Sequence, residues 1–267
     1  MKSYITYFKL KFKTGLQYRA AALAGMCTQV FFGFVYVSIY IAFYETGSGN
    51  LPMELSELVS YVWLGQSFFS LIYLWYKDKE IINMIKSGNI AYELCRPQDL
   101  YFMWASKILG ERLSNFALRI LPVIVVALIL PSPYNLDLSI TIVRLSLFIF
   151  VMFLSIILMT ALVLLYHVTC LITLDDKGIV NIFMVLSDVL SGMVIPIPFF
   201  PKFLQNISNI LPFRYISDFP FRLYVGNISI EEGLIGIIIQ IIWIVILVIL
   251  GRLIVKKALK KAVIQGG

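Results

Sequence analysis

The sequence predicts an all-α integral membrane protein, and three observations carry that prediction. Apolar residues make up 60% of the 267-residue chain and charged residues only 14%, against about 45–50% and about 25% in an ordinary soluble domain. Mean hydropathy is +0.89. The apolar residues gather in runs of roughly 20, the length a helix needs to cross a bilayer core, with short polar breaks between them.

Six runs are read as transmembrane helices: residues 21–44, 58–76, 113–130, 140–166, 178–200 and 233–255. No Gly/Ser-rich linker or shift in composition divides the chain, so residues 1–267 are expected to form one transmembrane domain. Orientation follows from Lys and Arg, which resist translocation. Seventeen of the 22 basic residues, among them Lys177, Lys260 and Lys261, fall on one side of this six-span plan, and only Lys202, Arg214 and Arg222 on the other. The rich side is expected to be cytoplasmic and to hold both termini, in a cell (plasma) membrane. The net charge of +7 is then a matter of topology and attraction to anionic membrane lipids, and no nucleic-acid partner is expected.

Residues 1–20 place Tyr4, Ile5, Phe8, Phe12 and Leu16 at helical spacing with Lys2, Lys9 and Lys13 on other faces, the pattern of an amphipathic helix lying in the interface. No cleaved leader is expected there. Gly25 and Gly33 in the first run and Gly65 in the second leave room for close helix contact.

Residues 77–112 form the longest cytoplasmic loop and keep charge that the rest of the chain lacks. Ile81, Ile82 and Ile85 share a helical face, Ser87-Gly88-Asn89 stops that helix, Arg96-Pro97 turns the backbone, and helical spacing resumes from Tyr101. Such an apolar face must pack against the spans or against another protein.

Residues 196–230 hold five of the ten prolines, Pro196, Pro198, Pro201, Pro212 and Pro220. Proline removes backbone donors and breaks helices, while Phe203, Leu204, Ile207, Ile210, Leu211 and Phe213 are too apolar for a free loop. Short helices re-entering the outer leaflet are expected between spans five and six.

Ionisable groups at membrane depth are costly and default to functional candidates; here they are Arg119, Arg144, His167 and Asp188. The two arginines lie close enough to span ends to snorkel to headgroups, and His167, the lone histidine, is expected to pack near the interface. Asp188 is expected to face protein, with three open roles: a clamp across a dimer seam, a partner for an arginine, or a group on a substrate route. Ser187, Gln66 and Trp63 are grouped with it as candidates for that route or seam.

No phosphate loop, HExxH, nucleophile elbow or metal-ligand cluster occurs, and Cys27, Cys95 and Cys170 have no metal-binding spacing. No catalytic or metal site is expected, and the chain is expected not to be an enzyme.

Two stretches bring a known family into view: IKSGNIAYELCRPQD (85–99), similar to a G-x-I…L-x-R-P loop, and SGMVIPIPFFPKFLQNISNILPF (191–213), similar to an SG…P…P…LP segment before the last span. With the span order, they resemble ABC-2 type ABC transporter permeases of bacteria. The resemblance implies the membrane subunit of an ATP-driven exporter of a lipid, peptide, glycan or drug-like substrate. It implies two ABC ATPase subunits that hold ATP and Mg, no cofactor on this chain, and a second permease subunit encoded as a different chain. It also implies a coupling helix at 79–88 that docks on the ATPase, with Ile81, Ile82 and Ile85 as apolar contacts and Lys79, Lys86, Gly88, Glu93, Arg96 and Pro97 around them. Pro196, Pro198, Pro201, Pro212 and Arg214 would shape the external re-entrant region. A secondary transporter or channel, or a non-transporting membrane scaffold, is the alternative.

Overall fold

A computed structural model describes residues 2–47, 51–173 and 178–259, and it is all-helical over these residues. Lys177, Lys260 and Lys261, which entered the orientation argument, lie outside the described residues. Among the described residues, four helices are long and apolar enough to cross a membrane: α2 (Arg19–Thr46), α6 (Leu100–Ile129), α7 (Ile142–Thr173) and α11 (Ile230–Leu259).

The remaining helices are shorter. α1 (Lys2–Gly15) precedes α2, and α3 (Leu55–Ile72) follows it; α4 (Lys79–Lys86) and α5 (Ile90–Leu94) come before α6, and α8 (Gly178–Leu190) follows α7. Beyond α8 come a 3-10 turn at Ile197–Phe199, α9 (Lys202–Ile210), a second 3-10 turn at Phe213–Tyr215 and α10 (Asp218–Val225).

Two of the six expected spans differ from the expectation. The second, α3, has 18 residues, about 27 Å of helix, and most of its surface is buried by neighbouring helices. The fifth, expected over 178–200, ends at Leu190 after 13 residues, about 20 Å against a hydrocarbon core of about 30 Å. Gly192 takes φ +76, a left-handed conformation that ends a helix, and the prolines that follow cannot rebuild it. Val194 and Ile195 extend the apolar run without extending the helix. In the opposite sense, the loop helix expected from Tyr101 and the third span are one rod of 30 residues, α6.

α3 is the axis around which the others pack. α2 and α6 lie against it, α10 reaches it from the proline-rich end, and α11 closes on α7. α2 turns one stripe inward, Ala22, Gln29, Gly33 and Val37, and leaves Phe31, Ile39 and Phe43 exposed as lipid-facing residues must be. Because hydrocarbon is as apolar as leucine, burial against a neighbour supplies little drive inside a bilayer, and close backbone approach and polar bonds hold helices together. Gly33 shows the approach: a Cβ there would stand 2.6 Å from the Trp63 ring.

α1 lies along the first half of α6. A Cβ at Gly110 would meet the Phe8 carbonyl oxygen at 2.7 Å and the Phe12 nitrogen at 3.1 Å, and the Asp99 amide donates to the Tyr4 hydroxyl at 2.9 Å. Gly110→Leu is expected to push α1 off α6 at a cost of about 1–3 kcal/mol, the usual range for overpacking. The check is a lower melting temperature of the purified protein together with faster proteolysis after Lys9 and Lys13.

Candidate functional site

The chemistry of this chain concentrates where α1, α4, α6 and α7 meet. Asp78 begins it. One carboxylate oxygen accepts from the amides of Glu80 at 2.9 Å and Ile81 at 3.1 Å, an N-cap that satisfies the open donors of α4. The other oxygen takes the Lys107 ammonium from α6. The Asp78 amide donates to His167 Nε2 at 2.9 Å, while His167 Nδ1 meets the Val163 carbonyl at 2.8 Å. That pairing makes Nδ1 the donor and Nε2 the acceptor, the neutral ring. One aspartate thus ties the start of α4 to both α6 and α7.

Around this pair the charges close into a network. Lys107 lies 3.0 Å from Glu80 and 3.5 Å from Glu111, and Lys11 of α1 lies 2.8 Å from Glu80 and 3.8 Å from Glu111. The Tyr76 hydroxyl donates to Glu111. The Arg112 guanidinium is sandwiched between the Tyr73 ring at 3.9 Å and the Tyr76 ring at 4.5 Å and donates to the Ser70 carbonyl at 3.4 Å. Lys11, Lys107 and Arg112 balance Asp78, Glu80 and Glu111, so the cluster is neutral as a whole. Burial pushes the Glu80 carboxyl up, but its bonds to Lys11 and Lys107 outweigh this and hold it below the usual carboxylate value. Burial, reinforced by Glu80, raises Tyr7 of α1 to about 12.

This placement corrects the expectation for Ile81, Ile82 and Ile85. They are 0%, 7% and 5% exposed and form the face of α4 that packs on the chain's own bundle, so they are not apolar contacts for another protein. Periodicity identified the face correctly as apolar; the bundle covers it. The outward face of α4 is Lys79, Glu80, Asn83 and Lys86, followed by Ser87, Gly88 and Asn89. Gly88 takes φ +74 with open space where a Cβ would stand, so backbone conformation alone asks for glycine there. Next to it Tyr92 is 74% exposed, and Arg96 pairs with Glu93 at 3.2 Å beside an exposed Pro97.

Trp63, Gln66 and Ser187 are also corrected: they are buried inside the bundle and line no open route. Trp63 donates its indole N–H to the Tyr134 carbonyl at 2.7 Å, and Ser187 shares a bond with the Tyr166 hydroxyl at 3.0 Å. Asp188 differs. It is half-buried and borders a groove of about 270 Å³ with Trp75, Asn181, Met184, Val185 and Val189. Arg144 does not reach for headgroups; it donates to the carbonyls of Ile228 at 3.0 Å and Leu223 at 3.4 Å.

At the far end of the bundle the proline-rich segment is pinned by Asp218, a residue that sequence reasoning did not single out. Its buried carboxylate accepts from the Ile197 amide at 3.0 Å, stands 3.3 Å from the Tyr61 hydroxyl and faces Arg222 at 3.6 Å. Pro196 and Pro212 are buried with it, Pro198 is half-buried, and Pro201 is exposed. Arg214 is partly exposed and donates to Asn209. In the base cluster, Asp78, Lys107, Glu111, Arg112 and His167 were missed as a unit. The cap position of Asp78 before α4 was the one available signal.

Replacing one member of a buried pair strands the other. Lys107→Met is therefore expected to cost about 3–5 kcal/mol, read as a fall in melting temperature, and Asp78→Asn in the same chain is expected to restore part of it. For Glu80, a folded-state value below the ordinary glutamate value of 4.5 means that its contribution is complete above that pH and is lost as pH falls through the lower folded value. Acidification from about pH 6 to about pH 3 should lower the melting temperature less in Glu80→Gln than in the parent chain.

Comparison with curated proteins returns no match. A family model described as "ABC-2 family transporter protein" matches residues 34–266, which takes in α3, the charged base apart from its α1 residues, the proline-rich segment and all of α11. The chain belongs to the ABC-2 family of transporter proteins, as a multi-pass membrane component.

Proposed function

We propose that this chain is the permease subunit of an ATP-driven exporter in the cell membrane. It works with two ABC ATPase subunits that hold ATP and Mg and carry out the hydrolysis, and with a second permease subunit encoded as a different chain. α3, and α8 continued by the non-α-helical residues 191–200, complete six crossings with α2, α6, α7 and α11; both termini and α4 lie in the cytoplasm, and α9 and α10 re-enter the outer leaflet. The cargo is an amphiphile of the lipid, peptide, glycan or drug-like kind, and the groove beside Asp188 belongs to its route or to the seam with the second permease.

The observation that carries this reading is the combination of an outward, polar face on α4 with the charged cluster that fastens α4 to α1, α6 and α7. A force applied at Asn83, Lys86 or Tyr92 reaches α1 and α6 through ion pairs and α7 through the Asp78–His167 hydrogen bond, and not through a flexible tether. Differential contact of the ATPase with this face in its nucleotide-bound and nucleotide-free states would drive the change in access. The docking surface is the exposed strip Lys79, Asn83, Lys86 to Asn89, Tyr92 and Arg96; Tyr92 has the character of an interface anchor.

Tyr92→Ala combined with Lys86→Glu is expected to reduce co-purification with the ATP-hydrolysing subunit at least about tenfold and to abolish ATP-dependent export, with the melting temperature unchanged. An unchanged complex, or a thiol label on Gly88→Cys that reacts only from outside intact cells, would overturn the reading.

A further inference from the structure

The end of the bundle opposite α4 holds a cavity of about 630 Å³ between α9, α10 and the first turns of α11. Its walls differ in chemistry. One carries the amides of Gln205 and Asn209 and the guanidinium groups of Arg214 and Arg222; the other carries Ile235 and Ile239 of α11. Ile235 is exposed and begins a stripe that continues through Ile238, Ile242 and Ile249, all exposed as well. A polar recess therefore opens directly onto hydrocarbon.

The two arginines are not equivalent. Arg222 faces the buried Asp218 carboxylate at 3.6 Å and donates through Nε to Asn227 at 2.8 Å, so its charge is met. Arg214 has no carboxylate within 4.0 Å among the described residues. It donates to the Asn209 amide oxygen, and its Nε is buried without an acceptor. The Asp218 carboxylate acts on Arg214 only from beyond contact distance; a cation with no anion in contact at the edge of hydrocarbon is costly, and a guanidinium fork matches a phosphate in two-point geometry. Gln205 spends its amide nitrogen on the Pro198 and Phe200 carbonyls at 3.1 and 2.8 Å, which leaves its oxygen to accept from a headgroup hydroxyl or ammonium. Glu232, the carboxylate on the lining, is turned to the Ser229 amide at 3.1 Å.

From this arrangement we infer that the cavity binds a membrane phospholipid, with its phosphate on Arg214 and an acyl chain along Ile235 and Ile239 of α11. The inference needs only the membrane placement of α11 and is independent of the export reading: phospholipid binding here and loss of ATPase coupling at α4 are read by separate measurements.

The test uses the full chain in detergent, with retained lipid counted by native mass spectrometry. Phosphatidylglycerol is expected to stay bound to the parent chain and to be retained about tenfold less, or about 1.4 kcal/mol weaker, by Arg214→Gln. Arg252→Gln at the other end of the bundle should leave retention unchanged. Diacylglycerol, which lacks the phosphate, should not be retained, and glycerophosphate, which lacks the tails, should not displace the lipid. A phospholipid with a photoreactive acyl chain, used on the parent chain so that no variant need fold, should label the peptide that contains Ile235 and Ile239. Equal retention by Arg214→Gln, equal retention of diacylglycerol, displacement by glycerophosphate, or labelling confined to other helices would each overturn the proposal.

Discussion

The bond between Asp78 and Lys107 is the constraint on which the rest of the base depends. Both side chains are almost wholly removed from solvent, so neither charge is tolerable without the other. Asp78 can sit there only because α4 offers it amide donors and α7 offers His167 as an acceptor for its own amide. Lys107 can sit there only because Glu80 and Glu111 share its charge. In a medium that gives apolar surfaces no reason to prefer one another to lipid, such bonds fix which helix neighbours which. The balance of three cations against three carboxylates is what allows the cluster to be this deep.

The opposite end solves a different problem by related means. Its backbone is broken by prolines and by Gly192, and every broken turn exposes donors and acceptors that hydrocarbon cannot satisfy. Asp218 accepts from Ile197 and lies beside Tyr61, the Ser217 hydroxyl donates to the Ser191 carbonyl at 2.7 Å, and Gln240 of α11 donates to the Tyr215 carbonyl at 2.9 Å. Along its whole length the bundle also meets at small residues: Gly33 under Trp63, Gly236 under Phe219, Gly251 under Tyr101. Polar bonds hold the ends, and close approach at small residues supports both ends and the middle.

Much of this was legible in the residues, and the failures share a cause. Run length and hydropathy reveal helices that must cross lipid, and α2, α6, α7 and α11 follow from them. The loop helix α4 follows from three isoleucines on one face and the Ser87-Gly88-Asn89 stop, whereas α5 was not foreseen. What periodicity cannot supply is the identity of the neighbour: the face of Ile81, Ile82 and Ile85 is apolar whether a bundle or a partner covers it. The same holds for Trp63 and Ser187, which are polar-capable residues in apolar runs whose bonds go to Tyr134 and Tyr166, far along the chain. Lys107 and Arg112 read as ordinary flanking charges because the loop seemed to end after them; in fact α6 begins before them and carries them inside. The length of the fifth run misled because Val194 and Ile195 are apolar without being helical.

α6 is a single rod of 30 residues, about 45 Å long, well beyond the roughly 30 Å of a hydrocarbon core. Its first turns belong to the charged base and its last to the far rim, so it has the geometry of a lever. A rotation of about ten degrees at Lys107 sweeps the distal tip by several ångströms over that length. Pro122, inside the rod, deletes one rung of the hydrogen-bond ladder and sets the point where such a lever yields first, closer to the tip than to the handle.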